Sequence, residues 1–562
     1  MQEYDVVVIG AGFGGPVAAK KCAEAGFRTL MLERSARVGE KVVSGLTIPF
    51  YGFLFGPAFI RDGNPPIERP VDGIVNYIIK DIESGDIEID DSLRIPKPLS
   101  PILAFGYNAY CRPFCQWEAE KAVESGVELR TSTTVVELLK EDGRVVGVRT
   151  ETGEEIRARL VIDGEGSQGL LAVGAGIREK YPPEVISLAD VYDYEMAKDD
   201  VDEIFGHTLR FCWGWDEQKI APPLGHGNGL MVWPYRESVH FCQDQCLAMD
   251  DGKVPNLRKL FEEYHRNLTS GLSWWKEEIA PRARLRARVF ENFEIFVGLN
   301  ERLRAMPNHA DGVILIGDAA GLESTELCDG VPAAWFSADI AADVAIEALR
   351  AGDVSAAFLA RYDERVRAHP IIQWSITAPH RYNLRFAQER HSLEELRRHV
   401  HEGWGLGGFA IMSTALTKMV LRAVREDPGI ISSWVRMFPR YYFNWAHERY
   451  DYSGGKGEPA RDPSREPRVA QAVVRGGLRL LDAALALGAP LVRAAAGLLE
   501  PAARFANPAM KLLLPGIEAL MRGWKNVEPA FVPLSDRIIR FVGRADPAVF
   551  APPPKGGRRD GR

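Results

Sequence analysis

The chain alternates short, continuously apolar runs with longer stretches in which apolar residues recur every three or four positions. Its first run, Asp5-Val-Val-Val-Ile9, shows no polar alternation, as expected of a strand buried on both faces of a parallel sheet. It passes straight into Gly10-Ala-Gly12-Phe13-Gly14-Gly15, then a helical stretch from Pro16 to Ala25, then a second buried strand, Thr29 to Leu32, ending at Glu33. Arg157 to Ile162 and Gly312 to Ile316 read as further strands, delivering Asp163-Gly164-Glu-Gly-Ser167 and Gly317-Asp318-Ala-Ala-Gly321. Thr133 to Arg149 reads as a hairpin turning at Gly143. Strands interleaved with helices predict an α/β fold.

The glycines of the first turn answer separate steric demands. Gly10 permits the turn, Gly12 lets backbone approach a pyrophosphate, and Gly15 lets the helix pack on the strand, while N–H groups at the helix start attract the anion. Glu33 lies 23 positions after Gly10, where a carboxylate accepts from ribose hydroxyls and repels a 2′-phosphate. Strand, turn, helix, strand and acid in this order form the dinucleotide fingerprint, so the expected ligand is FAD or NAD.

With the Gly39-Glu-Lys41-Val-Val-Ser44-Gly45 stretch, Arg112, the Asp-Gly-x-x-Ser segment and the Gly-Asp-Ala-Ala-Gly segment, the chain resembles one branch of the glutathione-reductase-type FAD fold. That branch holds geranylgeranyl reductases and electron-transfer-flavoprotein:quinone oxidoreductases, FixC-type proteins included. The match runs from Met1 to Leu349. It implies FAD as cofactor, held by Gly10, Gly12, Phe13, Gly14, Gly15, Glu33 and Arg34, by Lys41, Ser44 and Gly45, by Arg112, and by Asp163, Gly164 and Ser167. It places Gly317 and Asp318 at the ribityl chain, Gly330 and Val331 beside the flavin ring, and the Val136 backbone at the adenine. No catalytic residue is assigned: Cys328 and Asp329 would face the substrate side, but hydride transfer needs orientation and exclusion of water more than an acid or base.

The same resemblance implies an oxidoreductase acting on a hydrophobic small molecule. Flavin hydroxylases of this fold carry an Arg three residues after the Ser, where this chain has Leu170, which disfavours a monooxygenase. The first expectation is electron transfer to a quinone, fed by electron-transfer flavoprotein or another redox protein. The alternative is a prenyl reductase that saturates isoprenoid double bonds. A non-catalytic prenyl-lipid escort is disfavoured by Glu33 and Asp318. Gly229-Leu-Met-Val-Trp233-Pro234-Tyr235 resembles an aromatic-proline motif beside the flavin.

The expected organisation is a discontinuous FAD-binding Rossmann domain, 1–179 and 297–349, with an inserted mixed-sheet substrate domain at 180–296. A helical C-terminal region at 350–450 follows, with helices at Ser355 to Arg367 and Ser392 to His401. Trp434 to Trp445 sets six aromatics around Arg436 and Arg440, which suits either a membrane boundary or a core helix. A linker at 451–467, a basic amphipathic helical tail at 468–550 and a disordered end at 551–562 complete the chain.

Composition refines this picture. Seven cysteines among 562 residues, with no compact CxxC pair, fit buried thiols in a reducing compartment, and no metal or iron–sulfur cluster is expected. No leader precedes Asp5, so the chain is expected to begin at Met1 and to be cytoplasmic. From Arg461 onward 17 Lys/Arg face 9 Asp/Glu although the whole chain is at −8, so the tail suits an anionic membrane surface on the inner face of the cell membrane rather than nucleic acid. No apolar run reaches spanning length, and Pro490, Pro501 and Pro508 are expected to divide the tail into short helices. Its apolar circumference needs cover, from either the protein body or a lipid interface.

Overall fold

A computed structural model describes residues 3–40, 45–81, 84–96, 99, 103–182, 185–214, 229–246, 257–295, 301–323, 330–377, 393–401, 406–447, 468–517, 519–520 and 523–524. Lys41, Ser44, Cys328, Asp329, the linker 451–467 and the end 551–562 lie outside the described residues.

Five parallel strands form the nucleotide sheet, in the order Val313–Leu315, Glu155–Asp163, Glu3–Ile9, Thr29–Leu32, Glu128–Arg130. Val6, Val7 and Val8 are wholly buried, in a core shared with Val17 and Ala18 of the first helix and with Leu138, Val145 and Val148, as the unbroken apolar run requires. The helices Gly14–Glu24 and Val331–Ala351 pack together on one side. A hairpin, Val135–Glu141 with Arg144–Thr150, pairs antiparallel to the start of Glu155–Asp163, and its turn sits at Asp142-Gly143, both at positive φ. The mixed α/β architecture and the helical C-terminal region are those expected.

The second sheet has seven strands, in the order Arg284–Ile295, Ile186–Glu195, Ser238–Cys246, Gly229–Pro234, Thr208–Gly214, Gly73–Asp81, Asp86–Arg94. The last two strands come from residues that local pattern places with the FAD-binding unit. They join through a parallel pairing of Gly73–Asp81 with Thr208–Gly214, a contact across more than a hundred residues that leaves no local trace. One face of the sheet, bearing Tyr192, Cys212, Val232 and Phe241, is sealed by Val201, Phe205, Leu268 and Trp275. The other presents Ile78, Val191, Phe211, Trp213 and Met231, partly covered by Leu396 and Val400.

Helices Ala356–Ala368 and Leu393–His399 match their expected places, and the Ser355 hydroxyl caps the first by accepting from Phe358 N–H. The aromatic helix Ile430–His447 is a core helix: Arg436, Arg440 and Tyr441 are buried, and the Tyr441 hydroxyl donates to Ile60 O at 2.6 Å. The tail departs from expectation in one respect. Arg468–Leu499 is one helix running through Pro490, and a single 3-10 segment, Glu500–Phe505, links it to further helix. A proline costs a helix interior about 3 kcal/mol, and here contacts on both sides of Pro490, at Asp482 and Glu500, hold the two halves in line. The resulting segment Ala472–Ile517, 46 residues, is long and apolar enough to cross a membrane by length and composition.

Candidate dinucleotide site

The glycine turn is built by close approach. At Gly10, whose φ is +87°, a Cβ would overlap the Gly164 carbonyl, 3.1 Å from its carbon, and at Gly15 it would overlap the Gly10 carbonyl, 3.0 Å from its carbon. A Cβ on Gly14 would press on Ile316 and on Ala334 O, at 3.1 and 3.2 Å. Gly12 differs: a Cβ there would meet nothing within 4 Å. The helix that follows starts at Gly14 with no side-chain cap, so its first N–H groups face that open side. Phe13 packs inward against Phe114 and Trp335.

Glu33 caps the end of its strand over this turn. Its carboxylate accepts from Ala11 N–H at 3.0 Å and Ser35 N–H at 2.9 Å, leaving lone pairs for hydroxyl donors. The Thr133 N–H donates to Glu33 O, which brings the start of the hairpin alongside, and Val136 there is half exposed. Arg34 is exposed. Arg112 stands in the first turn of the helix Cys111–Glu124, and the Gly39 loop packs so closely on it that a Gly39 Cβ would lie 2.8 Å from Arg112 Cα. The Arg112 Nε is buried with no hydrogen-bond partner among the described residues.

Asp163 and Glu165 form a buried pair that composition alone does not reveal. Glu165 accepts from Leu171 and Ala172 N–H at 2.8 and 3.2 Å, while burial and the Glu165 charge push the Asp163 carboxyl well above its ordinary range. Asp163 is therefore the member that keeps the proton. Gly164 packs against Ile9 O, and Ser167 is buried beside it in sequence.

Gly317 turns at φ +56° and its N–H donates to Ser337 Oγ at 3.0 Å. The Asp318 carboxylate reaches the start of the helix Val331–Ala351, where a Cβ on Gly330 would lie 3.2 Å from Oδ1. Two residues absent from the sequence expectation fasten this corner. Arg178 donates to Ala320 O at 2.6 Å and to Leu303 O at 3.3 Å, and the Tyr181 hydroxyl shares its proton between Asp318 O and Ala319 O. Arg178 also donates to the Tyr181 hydroxyl at 3.2 Å, and nothing in their spacing marks them, because their hold on the corner is through backbone carbonyls.

Gly45 joins the second sheet to this site. A Cβ there would overlap the Tyr235 hydroxyl, 2.5 Å from Cζ, and Gly45 N–H donates to His240 Nδ1 at 3.4 Å. His240 Nε2 faces Asp193 at 3.2 Å, and Asp193 also pairs with Arg286 at 2.7 Å. Tyr235 stacks on Tyr110 with ring centroids 4.5 Å apart. The Tyr235 hydroxyl is buried with no partner among the described residues, and burial raises its pKa well above the ordinary phenol range. Trp233 lines the apolar face next to it.

FAD fits these residues. Gly12 and the uncapped helix start would hold the diphosphate with the Arg112 guanidinium nearby, Glu33 the adenosine ribose, and Asp318 with the helix start at Gly330 and Val331 the ribityl and flavin end. Among the described residues no cluster of three His, Cys, Asp or Glu has metal-holding geometry, and the described cysteines, Cys22, Cys111, Cys115, Cys212 and Cys242, are buried and unbridged.

Comparison with known proteins agrees with this geometry. The family profile described as FAD dependent oxidoreductase matches residues 5–308. Digeranylgeranylglycerophospholipid reductase 1 of Methanopyrus kandleri is 28% identical over 65% of this chain and 86% of its own length, and the reductase of the same name from Methanocaldococcus jannaschii is 28% identical over 64% and 82%. Protein FixC of Azorhizobium caulinodans is 26% identical over 61% of this chain and 75% of its own. In fold, the chain matches the crystal structure of a geranylgeranyl bacteriochlorophyll reductase-like protein from Thermoplasma acidophilum, with TM-score 0.53, 20% identity, and coverage of 72% of this chain and 97% of that one. The chain belongs to the FAD-dependent oxidoreductases, is an enzyme with FAD as its cofactor, and is related there to geranylgeranyl reductases and FixC.

Proposed function

We propose that this enzyme is a prenyl reductase, saturating double bonds of an isoprenoid chain, rather than the quinone oxidoreductase that the sequence pattern puts first. The observation that carries this reading is the set of relatives named as reductases of a digeranylgeranyl lipid, of whose length this chain covers more than four fifths. The second sheet supports it. Its face of Ile78, Phe211, Trp213 and Met231 is continuously apolar, the surroundings that suit a hydrophobic chain.

Once reduced by two electrons from a donor, bound flavin would supply a hydride to one carbon of the double bond. The other carbon needs a proton. We assign that proton to Tyr235, whose buried hydroxyl lies at Gly45 and is oriented by the stack of its ring on Tyr110. His240 and Asp193 position it indirectly, by tying Gly45 to the sheet.

The relation to FixC keeps quinone reduction as a second reading, with a redox protein as electron donor. Anaerobic photoreduction of the holoenzyme separates the two. Addition of a digeranylgeranyl phospholipid is expected to reoxidise the flavin and yield a lipid heavier by one hydrogen molecule per saturated bond. Reoxidation by a short-chain quinone alone, with the lipid unchanged, would transfer the assignment to the second reading.

A further inference from the structure

The tail helix turns its acidic residues inward and leaves a line of leucines outside. Leu478, Asp482, Leu485, Ala489, Val492, Ala496, Glu500 and Ala503 follow one another at steps of three and four, and all are buried or half-buried. The polar members of this inner line are each met by the body. Asp482 pairs with Arg436 at 2.6 Å and accepts from Ser432, and Glu500 pairs with Arg422 at 2.8 Å and with Arg425. Further on, Asn507 Oδ1 accepts from Thr414 N–H at 2.6 Å. About half a turn away, at 100° per residue, Val473, Leu480, Leu487, Leu491 and Leu498 form a second line at steps of seven and four. Four of these leucines are 74%, 86%, 78% and 81% exposed. Alanine and glycine fill the positions between them, and no charged residue interrupts that face from Ala472 to Leu499.

This is the reverse of a helix that meets water on its outer side, and its charges say what meets it instead. Asp482 and Glu500 are the two acidic residues between Ala472 and Ile517, and both are taken up by the body. The basic residues of the same stretch, Arg475, Arg479, Arg493, Arg504 and Lys511, are all exposed. Arg475, Arg479 and Arg493 lie roughly a third of a turn from the leucine line, the level at which a helix lying in a bilayer surface meets phosphate. We infer that this outer face is a landing surface for an anionic phospholipid bilayer: the leucines enter the acyl region and the arginines meet the headgroups. Because the inner ion pairs hold the helix flat along the body, it lies in the interface instead of crossing it. The surface stands whichever hydrophobic acceptor the flavin site serves.

The full-length protein with FAD bound is tested by flotation with vesicles of phosphatidylcholine containing roughly a third phosphatidylglycerol. The wild type is expected to float with them, and a Leu480→Glu, Leu487→Glu, Leu491→Glu, Leu498→Glu variant to lose at least 100-fold in partitioning with flavin absorbance unchanged. An Arg475→Gln, Arg479→Gln, Arg493→Gln variant, which alters no apolar contact, is expected to lose about 100-fold and most of its sensitivity to salt. Three results would each overturn the inference: failure of the wild type to float, equal flotation of the wild type and the leucine variant, or leucine changes that split a self-associated form while vesicle capture persists.

Discussion

Two alanine substitutions three residues apart separate what the glycine turn does for the fold from what it does for the ligand. At Gly12 the backbone φ is not positive and a Cβ meets nothing within 4 Å, so Gly12→Ala removes only unfolded-state freedom. The ligand-free protein should gain about 0.4–1 kcal/mol. FAD would meet the new methyl where its diphosphate must touch backbone. Losing two charge-assisted hydrogen bonds of about 1.5–3 kcal/mol each predicts a Kd weaker by about 10²–10⁴-fold. At Gly15 the same methyl overlaps the Gly10 carbonyl, which is itself fixed by the Gly10 N–H to Leu32 O bond at 2.8 Å. Helix propensity there favours alanine by up to about 1 kcal/mol, but overpacking against a fixed backbone costs about 1–3 kcal/mol or more, so Gly15→Ala should lower stability as well as FAD affinity. Denaturant unfolding of the ligand-free proteins and flavin fluorescence titration measure the two quantities separately. Wild-type FAD affinity in Gly12→Ala would refute the placement of the diphosphate over this turn.

Tyr235→Phe is expected to bind FAD normally and to slow lipid-dependent flavin reoxidation by about 100-fold or more; an unchanged rate would remove Tyr235 as proton holder. Arg178→Met leaves the Ala320 and Leu303 carbonyls without their donor, so unfolding should become easier by about 3 kcal/mol with FAD affinity falling alongside, and unaltered affinity would show that the Gly317 corner holds without it. Glu68 is wholly buried, and burial raises its pKa to about 7 against the pull of Arg236 and Arg69. A raised carboxyl contributes its stability in acid and loses it as pH climbs from the unfolded value to 7, a fall of about 3 kcal/mol. Glu68→Gln should therefore match the wild type near pH 4 and exceed it by about that amount at pH 8. Parallel melting curves across that range would contradict the assignment.

The amino-acid sequence was enough to determine the elements that depend on neighbours along the chain. An unalternating Val6-Val7-Val8 can be satisfied only between two covering layers, and the Gly10, Gly12 and Gly15 positions of the turn follow from what a strand-to-helix corner and a diphosphate require. Tertiary structure decided whatever depends on partners far away in sequence. Arg178, Tyr181 and Ser337 hold the Gly317 corner through hydrogen bonds to carbonyls and an N–H that no local pattern records. Gly73–Asp81 joins the second sheet by parallel pairing with Thr208–Gly214, a closure visible only once the chain has folded back. The aromatic helix at Trp434 fitted a core and a lipid boundary equally by composition, and its hydrogen bonds to Leu54 O and Ile60 O place it in the core. The tail shows the division most sharply. Periodicity identifies two lines of residues on a helix, but only the positions of Arg422 and Arg436 on other helices decide that the line bearing Asp482 and Glu500 turns inward and the leucine line outward.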